Sequence, residues 1–212
     1  MGDTTTDPRA RAAAALRRLG HALVGHEADE ALLDRVATAA DRVADDLEAA
    51  PPRQRDLLEL KRRMFEIDVP DGADVVHFDE CFVSGPWNPL GIAIAVHRDG
   101  DEAVARVELG AAFEGAPGRS HGGIVAAIFD DVLGYLLTFE HQPGFTGELT
   151  VRYLAATPIA APLEFRARRL PREGRKLPCE AEARVVGPDG TGEVVASARA
   201  VFIAIEPERM RS

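Results

Sequence analysis

Two adjacent carboxylates, Asp130 and Asp131, stand at the end of an otherwise apolar run, Gly122-Gly123-Ile124-Val125-Ala126-Ala127-Ile128-Phe129. A carboxylate on a buried helix is costly unless it is paired, protonated or used, so both are candidates for chemistry. The run opens on the glycine-rich turn Arg119-Ser120-His121-Gly122-Gly123. A helix start presents unpaired N–H groups and the positive end of the helix dipole, and it therefore favours developing negative charge. With no side chain at Gly122, an oxygen can come close to that backbone, which makes Gly122 the candidate oxyanion donor. The alternative is that the glycines only permit a tight turn. His121 either touches substrate or holds the turn by a hydrogen bond, and the six histidines show no metal-ligand spacing.

The elements that must position these residues can be read from periodicity. Residues 9 to about 65 lack strand alternation and read as helical. Leu32, Leu33, Val36, Ala40, Val43 and Leu47 recur at helical spacing and build one apolar face; Pro51-Pro52 ends that helix, and a further one is expected over Arg53 to Phe65. Val69-Pro70-Asp71-Gly72 marks a change to alternation, dividing the chain into a helical extension, 1–70, and a β-rich domain, 71–212. Expected strands are Val75 to Cys81, Ile92 to His97, Ala103 to Leu109, Leu149 to Ala155, Leu163 to Leu170, Leu177 to Val186 and Glu193 to Ile205. The turn-rich Pro171-Arg172-Glu173-Gly174 and Gly187-Pro188-Asp189-Gly190 join the last three into a meander. Between the strand groups, Gly123 to Phe139 is apolar in nearly every direction and reads as a long helix buried all round. The fold class is α+β: an antiparallel sheet wrapped around one central helix.

Composition narrows the function. The 212 residues carry 35 carboxylates against 25 Lys and Arg, a net charge of -10 that opposes broad contact with nucleic acid. Cys81 and Cys179 are too few for a disulfide framework, which suits a reduced, cytoplasmic protein. No apolar run is read as long enough to span a bilayer, so no membrane partner is expected.

Three motifs, in this order and spacing, resemble the hotdog-fold thioesterases of the phenylacetate-degradation (PaaI-like) type, over about residues 75 to 205. They are Gly85-Pro86-Trp87-Asn88-Pro89-Leu90-Gly91, then Phe113-Glu114-Gly115-Ala116-Pro117-Gly118-Arg119-Ser120-His121-Gly122-Gly123 with Asp130 nine residues after His121, then Gly174-Arg175-Lys176. The resemblance implies hydrolysis of an acyl-coenzyme A thioester with no metal or redox cofactor. It selects Asp130 over Asp131 as the catalytic carboxylate, acting as a general base on water or as a nucleophile. It implies an assisting role for Thr146 and coenzyme A contacts for Arg175 and Lys176, with Gly123 and Asn88 at the substrate site. Asn88 and Trp87 otherwise serve the turn. Where some relatives have a side-chain amide six residues before the histidine, this chain has Gly115, so the backbone is left as the main oxyanion donor.

Helical arithmetic adds a constraint. Asp130 lies roughly 10 Å beyond Gly123 along the axis, too far for both to reach one carbonyl about 3 Å away. Two antiparallel copies would bring each Asp130 to the other's Gly122, hence an expected homodimer with two sites, and stacking into a dimer of dimers is left open. Asp131, rotated about 100° from Asp130, should serve structure. The competing readings are a silent hotdog domain that binds acyl-CoA or organises a complex, and a hydratase, whose Asp and His pair does not match the spacing of Asp130 and His121.

Overall fold

The computed structural model describes residues 7–56, 59–60 and 64–205. The helical reading of the N-terminal part resolves into α1 (Pro8–Gly25) and α2 (Glu30–Glu48). Each starts on an aspartate cap: Asp7 accepts from the Arg9 N–H at 2.9 Å, and Asp29 accepts from the Leu32 N–H at 2.7 Å. Pro8 at the first helical position loses no hydrogen bond there. The helix expected over Arg53 to Phe65 is described only in part: 53–56 are irregular, 59–60 and 64–65 are helical, and Leu57 and Leu58 lie outside the described residues.

The rest is built on a seven-stranded antiparallel sheet in the order β1-β2-β3-β7-β8-β9-β6. Its strands are β1 (Asp74–Val75), β2 (Ala95–Asp99), β3 (Glu102–Glu108), β6 (Gly144–Tyr153), β7 (Pro162–Arg169), β8 (Lys176–Val185) and β9 (Val194–Ala204). A separate two-stranded hairpin, β4 (Glu114–Ala116) and β5 (Arg119–Ser120), turns at Gly118 with φ 74° and leads to the central helix, α3 (Gly122–Phe139). The meander β7-β8-β9 has the expected pairing, with Gly174 and Gly190 at positive φ in its turns.

Alternation explains the layering. Leu177, Cys179, Ala181 and Ala183 of β8 and Ala196, Ala198, Ala200 and Phe202 of β9 are buried beneath α3. The alanines let the helix lie close to the sheet, and larger residues of the helix, such as Phe129 in edge contact with Phe165 at 5.1 Å, fill the remaining space. The opposite face carries ion pairs such as Arg166 with Asp99 and Glu102, Arg168 with Glu180, and Arg184 with Glu182. One face is core and the other solvent.

Five expectations change. Val75 to Cys81 is a strand only at Asp74–Val75, because the Cys81 N–H turns back to the Phe78 carbonyl and the Trp87 N–H to Asp79. The second strand starts at Ala95, since the Ile92 and Ile94 N–H groups are tied to Phe82 and Val83. β6 begins five residues before the expected Leu149. Gly122–Phe139 is by length and composition apolar enough to cross a membrane, yet half of that stretch is buried, and the sheet packs on it. Nor is α3 buried all round: Gly123 and Asp130 are exposed on one side.

α1 is fastened to the β-rich part at the Gly85–Gly91 turn. Arg17 donates to the Asn88 and Pro86 carbonyls at 2.8 and 3.2 Å, the Trp87 indole N–H donates to Asp7, and Arg9 lies 5.2 Å over the Trp87 ring. His21 meets Phe113 edge-on at 5.0 Å and accepts from the Ala112 N–H. A Cβ at Gly110 would fall 2.6 Å from the His21 ring, so a larger residue there would displace that ring.

Candidate active site

The turn into α3 is held by His121. Its Nδ1 accepts from the Gly123 N–H at 3.0 Å, and its own N–H donates to the Phe113 carbonyl at 2.8 Å. The Gly123 N–H is therefore committed to the cap, and the Gly122 N–H is left without a partner among the described residues. A Cβ at Gly115 would lie 2.8 Å from the His121 Cα and 3.1 Å from its ring, so the histidine occupies the space where a side chain at 115 would stand. The Gly122 carbonyl accepts from the Tyr153 hydroxyl at 2.7 Å, and a Cβ at Gly122 would meet that ring at 3.2 Å. Tyr153 is a contact the sequence did not single out; only its place at the end of a strand running back along the helix could have suggested it.

Two turns further along α3, Asp130 accepts from the Thr146 hydroxyl at 2.9 Å. A β-bulge makes this contact. The β6 register shifts between Thr146 and Glu148, leaving Gly147 unpaired. Beyond the bulge Leu149 and Val151 face the core; before it Thr146 faces the helix, as does Gly144, whose added Cβ would meet Leu137 at 2.8 Å. Had the strand run in unbroken register through Gly147, alternation would turn Thr146 to the outer face. Among the described residues, no cation lies within ion-pair distance of Asp130.

Asp131 has a different environment. It accepts from the Cys81 thiol at 3.3 Å and lies beside Ser84, while its Oδ2 is buried without a partner. Burial pushes its pKa up, opposed in part by Ser84 and Cys81; burial and the nearby Asp131 raise the Cys81 thiol in turn. The seam continues inward. The Tyr135 hydroxyl donates to Ser84 at 2.9 Å and accepts from the His77 N–H, the His77 ring stacks on Tyr135 at 3.5 Å, and Thr138 meets His77 Nε2 at 2.6 Å. Asp131 is thus structural in its contacts, and the Cys81-x-x-Ser84 segment is its support.

The remaining candidates lie apart. Asn88 spends its amide on its own turn, donating to the Glu80 carbonyl at 3.1 Å and accepting from the Leu90 N–H at 2.9 Å. Arg175 and Lys176 are exposed at the β7–β8 turn. Arg175 donates to the Ala204 carbonyl, at the end of the sheet where β6 starts and opposite to Gly122 and Tyr153. Among the described residues, no group of three His, Cys, Asp or Glu side chains could hold a metal ion. A concavity of about 920 Å³ lies on the charged outer face, lined by Arg166, Arg168, Glu180 and Arg199, and does not include Asp130 or Gly122.

No protein-family model matches the chain, and no curated protein does. A solved thioesterase superfamily protein is 27% identical, with a TM-score of 0.77 over 93% of this chain and 91% of its own. The chain has the hotdog fold of thioesterase superfamily proteins. Overlap of that extent cannot be reached by the hotdog domain alone, so it includes the N-terminal helices. Shorter matches include the PaaI protein of the Escherichia coli phenylacetic acid degradation operon, 16% identical over 53% of this chain and 81% of its own, TM-score 0.48. Another is a hypothetical thioesterase of Streptococcus pneumoniae solved with coenzyme A, 16% identical over 49% of this chain and 80% of its own, TM-score 0.44.

Proposed function

We propose that this hotdog protein is an acyl-CoA thioesterase of the PaaI-like type, acting as a homodimer with two shared sites. The observation that carries the reading is the Asp130–Thr146 pair. An aspartate retained for structure would be ion-paired or buried, whereas Asp130 is exposed and held by a neutral hydroxyl at 2.9 Å, leaving Oδ2 free to accept a proton. In the general-base route, Asp130 takes a proton from water, the hydroxide adds to the thioester carbonyl, and the oxyanion is held by the Gly122 N–H of the other copy. Collapse breaks the C–S bond and releases coenzyme A as thiolate, which is then protonated. In the nucleophilic route Asp130 itself adds to the carbonyl, and water cleaves the resulting mixed anhydride.

Two features support the shared site. Within one chain Gly122 and Asp130 are about 12 Å apart along α3. And β6 is a ten-residue edge strand, largely exposed, with Phe145 and Tyr153 about half exposed. Such an edge invites pairing with a second copy. Both cysteines are free, as suits a cytoplasmic protein.

The test is thiol release from a panel of aryl- and alkyl-CoAs. Asp130→Asn should lower kcat by about 10²–10⁴-fold, the usual worth of a positioned acid or base. Asp131→Asn should retain most activity. Equal rates for wild type and Asp130→Asn would overturn the assignment, and acyl-CoA binding without turnover by wild type would establish the silent binding domain instead.

A further inference from the structure

Among the described residues, α1 and α2 each carry an apolar stripe that nothing else covers. On α1, Ala10, Ala13, Arg17 and His21 face the hotdog domain. Leu16, Leu19 and Leu23 project from the other side at spacings of three and four and are 41–50% exposed. On α2, Leu32, Val36, Ala40, Val43 and Leu47 share one face; none of the helix's residues is buried, and Leu47 is 66% exposed. An isolated amphipathic helix of this length is marginal in water, and its stability comes from covering the apolar face. No described residue covers it in cis. The residues that flank the α1–α2 connection, His26 and Asp29, are both extended, and the two helices do not pack as a pair.

Charge identifies the occupant. α1 carries no carboxylate, and with Arg9 and Arg17 held at the Gly85–Gly91 turn it still offers Arg11 and Arg18, while α2 carries Glu30, Asp34, Asp41, Asp45, Asp46 and Glu48 against Arg35 and Arg42. Pairing α1 with α1 or α2 with α2 sets like charges together; pairing α1 with α2 sets opposite ones together. The helices are 18 and 19 residues long, about 27–28 Å each, so the stripes match in length. The acidic helix also opposes an anionic lipid surface. We propose that these helices are an interface with a second copy of this chain, the basic α1 stripe of each copy packing on the acidic α2 stripe of the other. Because each chain brings one of each, a two-fold axis satisfies both pairings at once.

The test is chemical cross-linking of two differently tagged full-length chains, co-expressed and mildly oxidised, one bearing Leu16→Cys and the other Ala40→Cys. Both positions lie near the middle of their helices, so either helix direction brings them within reach. The expected result is a disulfide joining the two chains. Replacing Ala40→Cys by Thr38→Cys, on the opposite face of α2, should abolish it, and adding Val43→Asp to the Ala40→Cys chain should lower its yield at least fivefold. Failure of the two chains to link, an equal yield with Thr38→Cys, or indifference to Val43→Asp each overturns the proposal. The readout is a covalent mass independent of turnover, so it stands or falls separately from the thioesterase reading.

Discussion

At Thr146 the hydroxyl donates a hydrogen bond to one oxygen of Asp130 and leaves the other for water or substrate. A hydrogen bond to a charged group contributes about 1.5–3 kcal/mol. If it orients the carboxylate for reaction, Thr146→Val should lower kcat/KM roughly 10–100-fold, and Thr146→Ser should restore most of the loss. Steady-state kinetics on the same acyl-CoA panel decides; equal rates for valine and threonine would make the contact incidental. His121 calls for the opposite pattern. Its ring caps Gly123, so His121→Asn, a good N-cap, should keep stability, while His121→Ala should lose about 1 kcal/mol, measured by urea unfolding. A loss of activity in the asparagine variant at unchanged stability would move His121 from cap to substrate contact. Gly122 was singled out by its place at a helix start, whereas Asp130 and Thr146 were singled out by the resemblance and not by type and spacing alone. The Tyr153 hydroxyl on the Gly122 carbonyl was not legible, because it joins residues 31 positions apart.

Among the elements, β6 shows where reading from sequence stops. Leu149 and Val151 alternate cleanly and reveal the strand from Leu149 onward, but the bulge at Gly147 reverses which residues face inward and so hides Gly144–Thr146. Periodicity assumes an unbroken register, and a single unpaired glycine breaks it. The same limit applies to Val75–Cys81, where local turns captured N–H groups that alternation would have assigned to a ladder. The helices, the meander and the central α3 depend on long-range apolar pattern alone and were readable. Gly147 is therefore the residue through which strand geometry reaches the candidate site. A Cβ there would lie 2.9 Å from Ile203 Cγ1 and 3.1 Å from the Val201 carbonyl. Gly147→Val should cost about 1–3 kcal/mol by overpacking and lower activity further than its stability loss explains, because it displaces Thr146 from Asp130. Comparing the melting temperature with kcat under conditions where the variant stays folded separates the two effects.

For the molecule as a whole, the buried seam through His77, Tyr135, Ser84, Asp131 and Cys81 ties the loop before β2 to the central helix, and it sets how folding responds to acid. Burial holds the His77 pKa down at about 3, against about 6.5 in the unfolded chain. The unfolded state therefore binds a proton that the native state refuses, so the stability contributed by neutral His77 is complete above about pH 6.5. It is lost as pH falls toward about 3, at up to about 1.4 kcal/mol per pH unit. Asp131 runs the other way: its raised pKa favours the protonated acid in the native state, so its penalty grows as pH rises above the ordinary carboxylate range. The two change stability in opposite directions with pH, so variants of each can separate them. His77→Gln, which keeps a hydrogen-bonding partner for Thr138 but cannot titrate, should flatten the loss of stability between pH 6.5 and 4. Asp131→Asn should raise the melting temperature at pH 7 more than at pH 4. Thermal melts of wild type and both variants across pH 4–8 read these slopes directly. If wild type and His77→Gln lost stability in parallel on acidification, His77 would not be the neutral, buried group that locks the loop to α3, and the acid response would have to arise in the carboxylates of the sheet's outer face.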